Sequence, residues 1–323
     1  MATTSLSPKK KNRQSSAYNT WLRHWIFRTG IDPMTWVVRL SIILILGVFY
    51  VVPLIWLLIT PTKTNQQLFD LPPLAIGSLA YVAKAWGYLM QFLNGVLARW
   101  IFNSFYYVTL GLILSISFAV PAGFALAIIP FKLRRTLLWV TLLIMLVPGD
   151  ALVLPMYVEL FYMRMIDTQW ALIIPAASYP IGVYLVFQYY KATMPADLVA
   201  AAKVDGCSNL EMFWYIGLPL ARNIIGVLAF TQFTGLWGGF FAAQLFIDNA
   251  VLKPLPAGIA IIVSQCGGIL PTTLRCILNP EGHTIARAEI ALLGVISTLP
   301  VLIIYALAQR IIIRGATAGA IKE

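Results

Sequence analysis

Five charged or strongly polar side chains lie in the stretch "AAAKVDGCSNLEMFWYIGLPL", residues 200–220, between two long apolar segments. Pro195 and the helix-forming residues after it predict a short helix. Gly206 can adopt the left-handed conformation that ends a helix. Ser208 and Glu211 have the S-x-x-E spacing of a capping box, which begins a second helix at once. The stretch therefore predicts a tight helical hairpin, a pattern that is by itself typical of a structured connecting loop.

The second helix of this hairpin carries apolar residues at helical spacing. Leu210, Phe213, Trp214 and Gly217 stand at i, i+3, i+4 and i+7, which predicts one apolar stripe. Pro219 is predicted to end the helix because it has no backbone N–H to donate.

Acidic side chains inside apolar segments are the next candidates for function, because an ionisable group in hydrocarbon is costly unless it faces protein or water. Asp150 follows a Pro-Gly pair, where a broken helix can line a cavity. It has either a substrate-pathway role or a role in helix packing or a partner interface. Glu159 and the Arg287–Glu289 pair are predicted to reach the outer interface, where charges cost little.

Nucleotide, metal and nucleophile sites have characteristic motifs, and the sequence contains none of them. It has no G-x-x-x-x-G-K-[ST] loop to cradle the phosphates of ATP. His24 and His283 lie far apart, without metal-ligand spacing, and there is no G-x-S-x-G nucleophile motif. We therefore expect no catalytic residue, metal or cofactor on this chain.

The elements that must position these residues are membrane helices. Hydrophobic residues make up 60% of the chain, charged residues 11%, and the mean hydropathy is +0.82, which excludes an ordinary soluble domain. A bilayer core of about 30 Å needs roughly 20 apolar residues per helix, and the runs are continuous rather than alternating, which excludes barrel strands. The sequence predicts an all-α polytopic membrane protein with six transmembrane helices, at about 36–60, 103–130, 136–159, 168–190, 219–246 and 288–313.

The Lys and Arg residues predict which side of the membrane each loop faces. With the N-terminus inside, sixteen of the 23 lie in cytoplasmic segments. Both termini and the hairpin are therefore predicted to be cytoplasmic, in a multi-pass inner-membrane protein whose first helix is an uncleaved anchor. These anchors explain the net charge of +11 without nucleic-acid binding.

The sequence predicts five successive parts of the chain. These are a basic arm at 1–35 that contacts lipid, the first helix at 36–60, an outer loop at 61–102, a five-helix core at 103–314 and a tail at 315–323. The core includes the hairpin at 195–219 and a second outer loop at 247–287.

The outer loop before the last apolar run contains a short apolar segment and two cysteines. "IAIIVSQC" is too short to span a bilayer and predicts a re-entrant or interfacial helix. Cys266 and Cys276 could form a disulfide on the oxidising side, whereas Cys207, inside, would stay reduced. Spacing alone leaves both the bonded and the free state open.

The hairpin resembles the EAA motif of the permease subunits of binding-protein-dependent ABC importers. That motif places E-A-A, a Gly and I-x-L-P at fixed spacing across two helices, and this chain matches it except that Ala200 replaces the Glu. In the family the motif is the coupling helix, which docks in a groove of the ATP-hydrolysing subunit. Any polar contact of the Glu is absent here, while docking by shape and apolar surface remains. The resemblance assigns ATPase docking to Ala200, Ala201, Ala202, Asp205, Gly206, Glu211, Phe213, Ile216, Leu218 and Pro219.

Other stretches extend the resemblance from about residue 36 to the C-terminus. "NSFYYV", "PLPAGIA" and "QRIIIRGATAGAIKE" are similar to segments of the smaller, maltose-permease-like subunit of carbohydrate importers, and "MLVPGDALVLPMY" resembles its Pro-interrupted third span. "GLWGGFFAAQLF" resembles the W-x-E-F stretch, with Gly239 in place of the acid. Asp150, Tyr157 and Trp237 are candidates for the substrate pathway. Tyr157 could stack on a sugar ring or belong to an interfacial aromatic belt.

The resemblance implies a type I ABC importer permease fold and ATP-driven import of a sugar or oligosaccharide by alternating access. The implied partners are a second permease subunit, a dimer of ATP-binding subunits that carry ATP and Mg, an extracytoplasmic sugar-binding protein and membrane lipid. The alternative is a secondary transporter driven by an ion gradient, or a channel, which needs intramembrane acids placed for ion coupling. Asp150 keeps that alternative open. A membrane-embedded transferase has less support, because no cluster of acids or His supplies its chemistry.

Overall fold

The computed structural model describes residues 33–92, 95–266, 285 and 287–318, and that part of the chain is helical, with no β-strand. The chain divides into two units between Trp56 and Leu57. Four helical segments are long and apolar enough to cross a membrane, and two bent helix pairs raise the number to six if each pair is one span. The prediction of an all-α membrane protein is confirmed, whereas the count of six spans and the orientation stay predictions.

The first helix, α1, covers Pro33–Ile59, close to the predicted 36–60. Its 27 residues extend about 40 Å at a rise of about 1.5 Å per residue, which is enough to cross a bilayer with some tilt. None of its described side chains is buried. An apolar helix exposed all round is suited to lipid contact.

The segment predicted as an outer loop, 61–102, contains helices that we did not predict. A 3₁₀ turn at Thr60–Thr62 and the short α2, Gln67–Asp70, precede the amphipathic α3, Leu79–Gln91. Lys63 is buried beneath this segment, and its ammonium donates to the carbonyls of Pro72 and Pro73 at 2.9 and 3.0 Å. These bonds hold the segment in a defined conformation, because a buried ammonium requires such acceptors.

The central element of the larger unit is α4, Val96–Ile128, which starts seven residues before the predicted 103. Gly95 precedes it with φ +85°, a conformation that glycine adopts without steric cost. The helix contributes to three buried clusters: Trp100 belongs to one, Phe124 to the second and Tyr107 to the third. It therefore connects the three clusters, the second of which includes residues of the hairpin.

Both of the next two spans are interrupted beside prolines. The third consists of α5, Arg134–Met145, a 3₁₀ turn at Gly149–Leu152, and α6, Val153–Tyr162, with a bend of 97°. The fourth consists of α7, Trp170–Ile173, a 3₁₀ turn at Pro175–Ala177, and α8, Pro180–Thr193. Pro148 and Pro180 disfavour helical geometry in the residue before them, which explains both interruptions.

The hairpin and the last spans complete the described chain. The hairpin consists of α9, Ala196–Val204, then α10, Asn209–Met212, a π-helical turn at Phe213–Gly217, and α11, Leu218–Leu220. The predicted fifth span, 219–246, is divided at Gly239 into α12, Arg222–Gly238, and α13, Phe240–Phe246. A 3₁₀ turn at Ala250–Leu252 leads to α14, Leu255–Cys266, which agrees with the predicted short helix, and α15 covers Arg287–Ala318.

The helices α4 and α8 approach each other closely at Gly123. A Cβ added at Gly123 would lie 2.5 Å from the Cβ of Val186 and 2.9 Å from the carbonyl oxygen of Val183. Only glycine fits there, as is usual where membrane helices pack tightly through small residues. This contact fixes the position of α8, from which the hairpin continues.

Candidate functional site

The first helix of the hairpin, α9, ends as its sequence predicts. Gly206 has φ +79°, its N–H donates to the carbonyl of Lys203 at 3.1 Å, and the N–H of Cys207 donates to that of Ala202 at 2.9 Å. These two bonds form a Schellman motif. Pro195, which we expected at the first helical position, is the N-cap of the helix.

The capping box predicted at Ser208 and Glu211 is confirmed. The backbone N–H of Ser208 donates to Glu211 Oε2 at 2.8 Å, and the N–H of Glu211 donates to Ser208 Oγ at 3.2 Å. Such a cap contributes about 1 kcal/mol to the stability of a helix. Because the cap residue Ser208 directly follows Cys207, the last residue of the Schellman motif, both sides of the turn are fixed by local bonds.

The second helix continues past Pro219, contrary to our prediction. A π-helical turn precedes this proline, and the wider turn accommodates a residue that has no N–H to donate. The hydroxyls of Tyr190 and Tyr189 donate to the carbonyls of Gly217 and Leu220 at 3.0 and 2.8 Å. These bonds join the hairpin to α8 and satisfy carbonyls beside the proline.

The inner side of the hairpin is fixed to the bundle by buried side chains. Met212 and Phe213 are buried, and the Phe213 ring lies 5.3 Å from that of Phe124 on α4, edge to face. Phe124 in turn contacts Tyr190 at 5.2 Å. A movement of the hairpin must therefore displace α4 and α8 as well.

The predicted apolar stripe of the second helix is divided between two directions. Phe213 and Gly217 are buried, whereas Leu210 and Trp214 are exposed. The physical reason is the π-helical turn, since its extra residue per turn changes the angle between positions that share a face in an α-helix. Phe213 and Gly217 therefore pack against the bundle, whereas Leu210 and Trp214 contribute to an exposed surface.

The outer side of the hairpin is an exposed apolar surface, which we call the outward face. It consists of Val204, Leu210, Trp214 and Tyr215, whose exposed fractions are 87%, 67%, 56% and 77%. A hollow of about 350 Å³ lies beside it, lined by Ala202, Asp205, Gly206, Cys207, Glu211, Tyr215 and Ile216. Four large apolar side chains exposed on one rigid hairpin indicate a contact surface.

The ten residues predicted for ATPase docking differ in exposure. Ala200, Ala201, Asp205, Gly206, Glu211 and Pro219 are exposed, Ile216 and Leu218 are half-buried, and Ala202 and Phe213 are buried. The buried ones support the hairpin from inside. Val204 and Tyr215, the two most exposed members of the outward face, were not predicted, because the family motif does not mark them.

A second candidate site is a cavity of about 280 Å³ between α4, the fourth span, α12 and α13, which we call the bundle cavity. Among the described residues, none of those that line it carries a charged side chain. Ser104, Tyr107, Ser178 and Gln232 contribute polar groups, and the remaining lining is mostly apolar. This composition is typical of a site for a neutral small molecule.

A polar cluster closes one side of the bundle cavity. Gln232 Nε2 donates to Ser115 Oγ at 2.8 Å. The Ser115 hydroxyl also lies 2.5 Å from the carbonyl oxygen of Ala176 and 2.6 Å from that of Gly111. Ser115 is fully buried, so these bonds satisfy polar groups that would otherwise be costly in the bundle.

One face of α4 holds the loop at residues 250–254, which lies at one end of the cavity. Trp100, Asn103 and Tyr107 donate to backbone carbonyls of residues 250–253 at 2.6 to 3.1 Å. Ser104 Oγ accepts the first N–H of α14 at 2.7 Å. The spacing i, i+3, i+4 and i+7 places all four side chains on one helix face. The loop is therefore a fixed wall of the cavity.

The same loop is joined to the connection between α6 and α7. A carboxylate oxygen of Asp167 accepts the backbone N–H groups of Asp248 and Asn249 at 3.0 and 2.8 Å. The buried Lys253 ammonium donates to the carbonyl of Ile247. Burial lowers the pKa of Lys253, while the negative charges of Asp248 and Asp167 act in the opposite direction.

The three predicted pathway residues lie in different places. Trp237 lines the bundle cavity, but its indole N–H donates to the carbonyl of Ser297 at 2.9 Å, so it joins α12 to α15. Tyr157 does not line the cavity, although its ring lies 6.3 Å from that of Phe246, which does. Asp150 is exposed on the 3₁₀ turn before α6 and is not among the cavity residues.

The other predicted charges and cysteines have separate outcomes. Glu159 is exposed, and its position at the outer interface stays a prediction. Glu289 is fully buried, contrary to our prediction, because α3 covers it and the Tyr81 hydroxyl donates to Glu289 Oε1 at 2.9 Å. The guanidinium of Arg287 lies 5.1 Å from the centre of the Phe69 ring. The predicted Cys266–Cys276 disulfide lies outside the described residues, since Cys276 and the Cys266 side chain are not described, and Cys207 is a free thiol.

A family model described as "binding-protein-dependent transport system inner membrane component" matches residues 119–317, which is more than half of the chain. The chain belongs to this family. These inner-membrane components are the permeases of ABC importers, whose ATPase is a separate subunit. Family membership therefore implies a partner permease, an ATPase and a binding protein.

Relatives and a solved structure agree with this membership. The arabinooligosaccharides transport system permease protein AraQ of Halalkalibacterium halodurans is 29% identical over 229 residues, which cover 71% of this chain and 75% of the relative. The sulfoquinovosyl glycerol transport system permease protein SmoH of Agrobacterium fabrum is 26% identical over 284 residues, which cover 87% of this chain and 91% of the relative. A bacterial ABC transporter involved in the import of the acidic polysaccharide alginate has the same fold, with a TM-score of 0.71 at 17% identity over 87% of this chain and 98% of that one.

Several residues of the site were missed although the sequence contains a signal for them. Trp100, Asn103, Ser104 and Tyr107 have the spacing of one helix face in a segment that is mostly apolar. Gln232 is an amide in the middle of the fifth apolar run. Polar residues at such positions are expected to face other helices or a cavity.

Proposed function

We propose that this chain is a permease subunit of an ATP-driven importer of a sugar or oligosaccharide, and that the hairpin couples it to a partner ATPase. The observation that carries the proposal is the outward face, which is apolar, exposed and built on a locally closed hairpin. Membership of the importer family gives this face a partner, since the ATPase of such systems is a separate subunit.

Docking on the outward face does not need the Glu that Ala200 replaces. Burying one side chain of the size of Leu or Phe contributes roughly 1.5–3 kcal/mol, and four large side chains are available. Part of that energy is lost to side-chain ordering on association. The remaining apolar contact supports an interface held by shape rather than by a carboxylate.

Coupling requires that a force on the hairpin reaches the substrate pathway. Phe213 contacts Phe124 on α4, and the tyrosines at 189 and 190 bond the hairpin to α8. α4 also carries Ser104 and Tyr107, which line the bundle cavity. An ATPase that moves the hairpin would thus shift one wall of the cavity, which is the physical requirement for alternating access between two states.

The uncharged lining of the bundle cavity favours a neutral substrate rich in hydroxyl groups. Gln232, Ser178 and Tyr107 supply polar groups among apolar ones. Two relatives are named as permeases for arabinooligosaccharides and for sulfoquinovosyl glycerol, which supports a carbohydrate as the class of substrate. An ion-driven transporter would need an acid at the pathway, yet Asp150 lies outside this cavity. We therefore favour a carbohydrate over an ion as the transported species.

The test is co-purification of the ATPase from a host that expresses the whole importer. We expect a tagged permease to retain the ATPase, and Leu210→Asp with Tyr215→Asp to lose most of it, because two charges replace apolar contacts. The matched control is Ile76→Asp with Leu79→Asp, whose positions are equally exposed, at 71% and 76%, but lie before and in α3. Loss of ATPase in the control, or full retention in the hairpin variant, would refute docking through the outward face.

A further inference from the structure

A basic hollow at the start of α5 is independent of both sites above. Its volume is about 370 Å³, and it is lined by Phe131, Lys132, Arg134, Arg135, Leu138 and Phe187. Three cations thus meet two aromatic rings and one leucine in a single concave site. Among the described residues the structure records no ion pair for these cations.

One of the three cations is held in place, and two are available to a ligand. Arg134 Nη2 donates to the carbonyl of Ala127 in the last turn of α4 at 2.9 Å, so its guanidinium is positioned by the end of that helix. Lys132 and Arg135 are exposed. The hollow therefore presents positive charge to an anion without protein groups that neutralise it.

Below the hollow, the exposed side of α5 changes from cationic to aromatic to aliphatic. Arg135, Trp139 and Leu143 follow at intervals of four residues, which places them on one helix face, and Trp139 and Leu143 are 57% and 59% exposed. No described residue of α5 is buried. This order matches a phospholipid, whose phosphate lies at the interface and whose chains lie in the hydrocarbon.

The length of α5 matches the thickness of one leaflet. From Arg135 to Leu146 the helix rises about 16 Å, close to the 15 Å or so that is half of a hydrocarbon core. Leu146 is 79% exposed, and the chain bends by 97° just beyond it. The hollow thus lies at headgroup depth when the bend lies near the middle of the membrane.

We propose that this hollow binds the headgroup of an anionic phospholipid, with the acyl chains along the exposed face of α5. Basic residues generally anchor loops at the membrane surface. The binding of a single lipid molecule in one defined hollow goes beyond that general expectation. It does not rest on the transport function. A partner protein with an acidic surface is the competing occupant, and the isolated chain distinguishes the two.

Native mass spectrometry of the full chain in detergent tests the headgroup part. With phosphatidylglycerol and phosphatidylcholine of identical acyl chains, we expect the wild type to retain one phosphatidylglycerol preferentially. Lys132→Gln with Arg135→Gln should reduce that preference about 25-fold, since each cation near the headgroup contributes about a factor of five. Lys84→Gln with Arg99→Gln, which removes two exposed cations elsewhere, should leave it unchanged.

Three results would overturn the proposal: equal retention of both lipids by the wild type, an unchanged preference in the double variant, or displacement of the lipid by millimolar inorganic phosphate. The last would identify a site for a free anion.

A second measurement locates the acyl chains. Phosphatidylglycerol brominated on its chains should quench the part of the fluorescence that Trp139→Phe removes, and the absence of such quenching would contradict placement along α5. Thermal unfolding of each variant verifies that it is folded.

Discussion

The contact between α4 and α8 leads to a prediction about a single methyl group, Gly123→Ala. The added Cβ would lie 2.5 Å from the Cβ of Val186 and 2.6 Å from one of its methyl carbons. Val186 cannot rotate away, because its own Cβ is part of the conflict and a β-branched side chain has one strongly preferred rotamer in a helix. The two helices must therefore separate by several tenths of an ångström.

The expected magnitude follows from two opposing effects. Overpacking of a well-packed interior costs about 1–3 kcal/mol, whereas replacing a helical Gly by Ala gains roughly 1 kcal/mol of helix propensity. Gly235 on α12 supplies the control, because a Cβ there would meet nothing within 4 Å. Gly235→Ala keeps the propensity gain without the conflict, so Gly123→Ala should be less stable than Gly235→Ala by about 1–3 kcal/mol.

The assay is reversible unfolding of the two purified variants in mixed micelles as the fraction of denaturing detergent rises. Both variants carry the same chemical change in a helix interior, so the difference in their free energies of unfolding isolates the contact with Val186. A Gly123→Ala variant that is as stable as Gly235→Ala would refute the tight approach of α4 and α8. A second variant, Gly123→Ala with Val186→Ala, should recover part of the loss.

Three further predictions concern hydrogen bonds. Ser208→Ala removes the cap of α10 and should destabilise the hairpin by about 1 kcal/mol. This loss should appear as roughly fivefold faster hydrogen exchange of the hairpin amides. Ser208→Asp preserves the cap and should keep the exchange rate of the wild type. Glu289→Leu leaves the Tyr81 hydroxyl without this acceptor and should lower the free energy of unfolding by about 1–3 kcal/mol, while Glu289→Gln, which keeps an acceptor, should cost less; equal losses would contradict the bond. Asn103→Leu removes the donor of two loop carbonyls and should accelerate proteolysis of the 247–254 loop, whereas unchanged cleavage would show that this donor does not fix the loop.

Local sequence rules predicted the hairpin turn in detail. The Schellman motif at Gly206 and the capping box at Ser208 depend on residues within six positions of each other, so short motifs contain the necessary information. These local rules did not predict which apolar side chains of the hairpin are buried, because Phe213 packs on Phe124, about ninety positions away in the chain. A contact of that sequence separation is set by tertiary packing, which one sequence does not encode in its local pattern.

Buried charges were harder to predict than apolar spans. Glu289 stands near the start of an apolar run, where an interfacial position is the natural expectation. Its burial depends on α3, an amphipathic helix in a segment that we predicted as a loop. Once α3 is missed, no local signal near residue 289 reveals a covering partner. The error in one element therefore produced the error in the other.

The location of the bundle cavity could have been predicted from the interruptions of the spans. Backbone groups at a helix break have no partner in hydrocarbon, so breaks are tolerated only beside protein or a water-filled cavity. Three breaks have sequence signals: Pro148, the Pro175 and Pro180 pair, and the Gly238–Gly239 pair. Ser178 and Gly239, at two of these breaks, line the cavity, whereas the Pro148 break does not. We assigned the substrate pathway to the break at Pro148 because Asp150 lies beside it. The two breaks without a charge are the ones that meet at the cavity. For a pathway that carries a neutral molecule, the convergence of uncharged breaks is the more informative pattern, since exposed backbone groups bind hydroxyls without the cost of a buried charge.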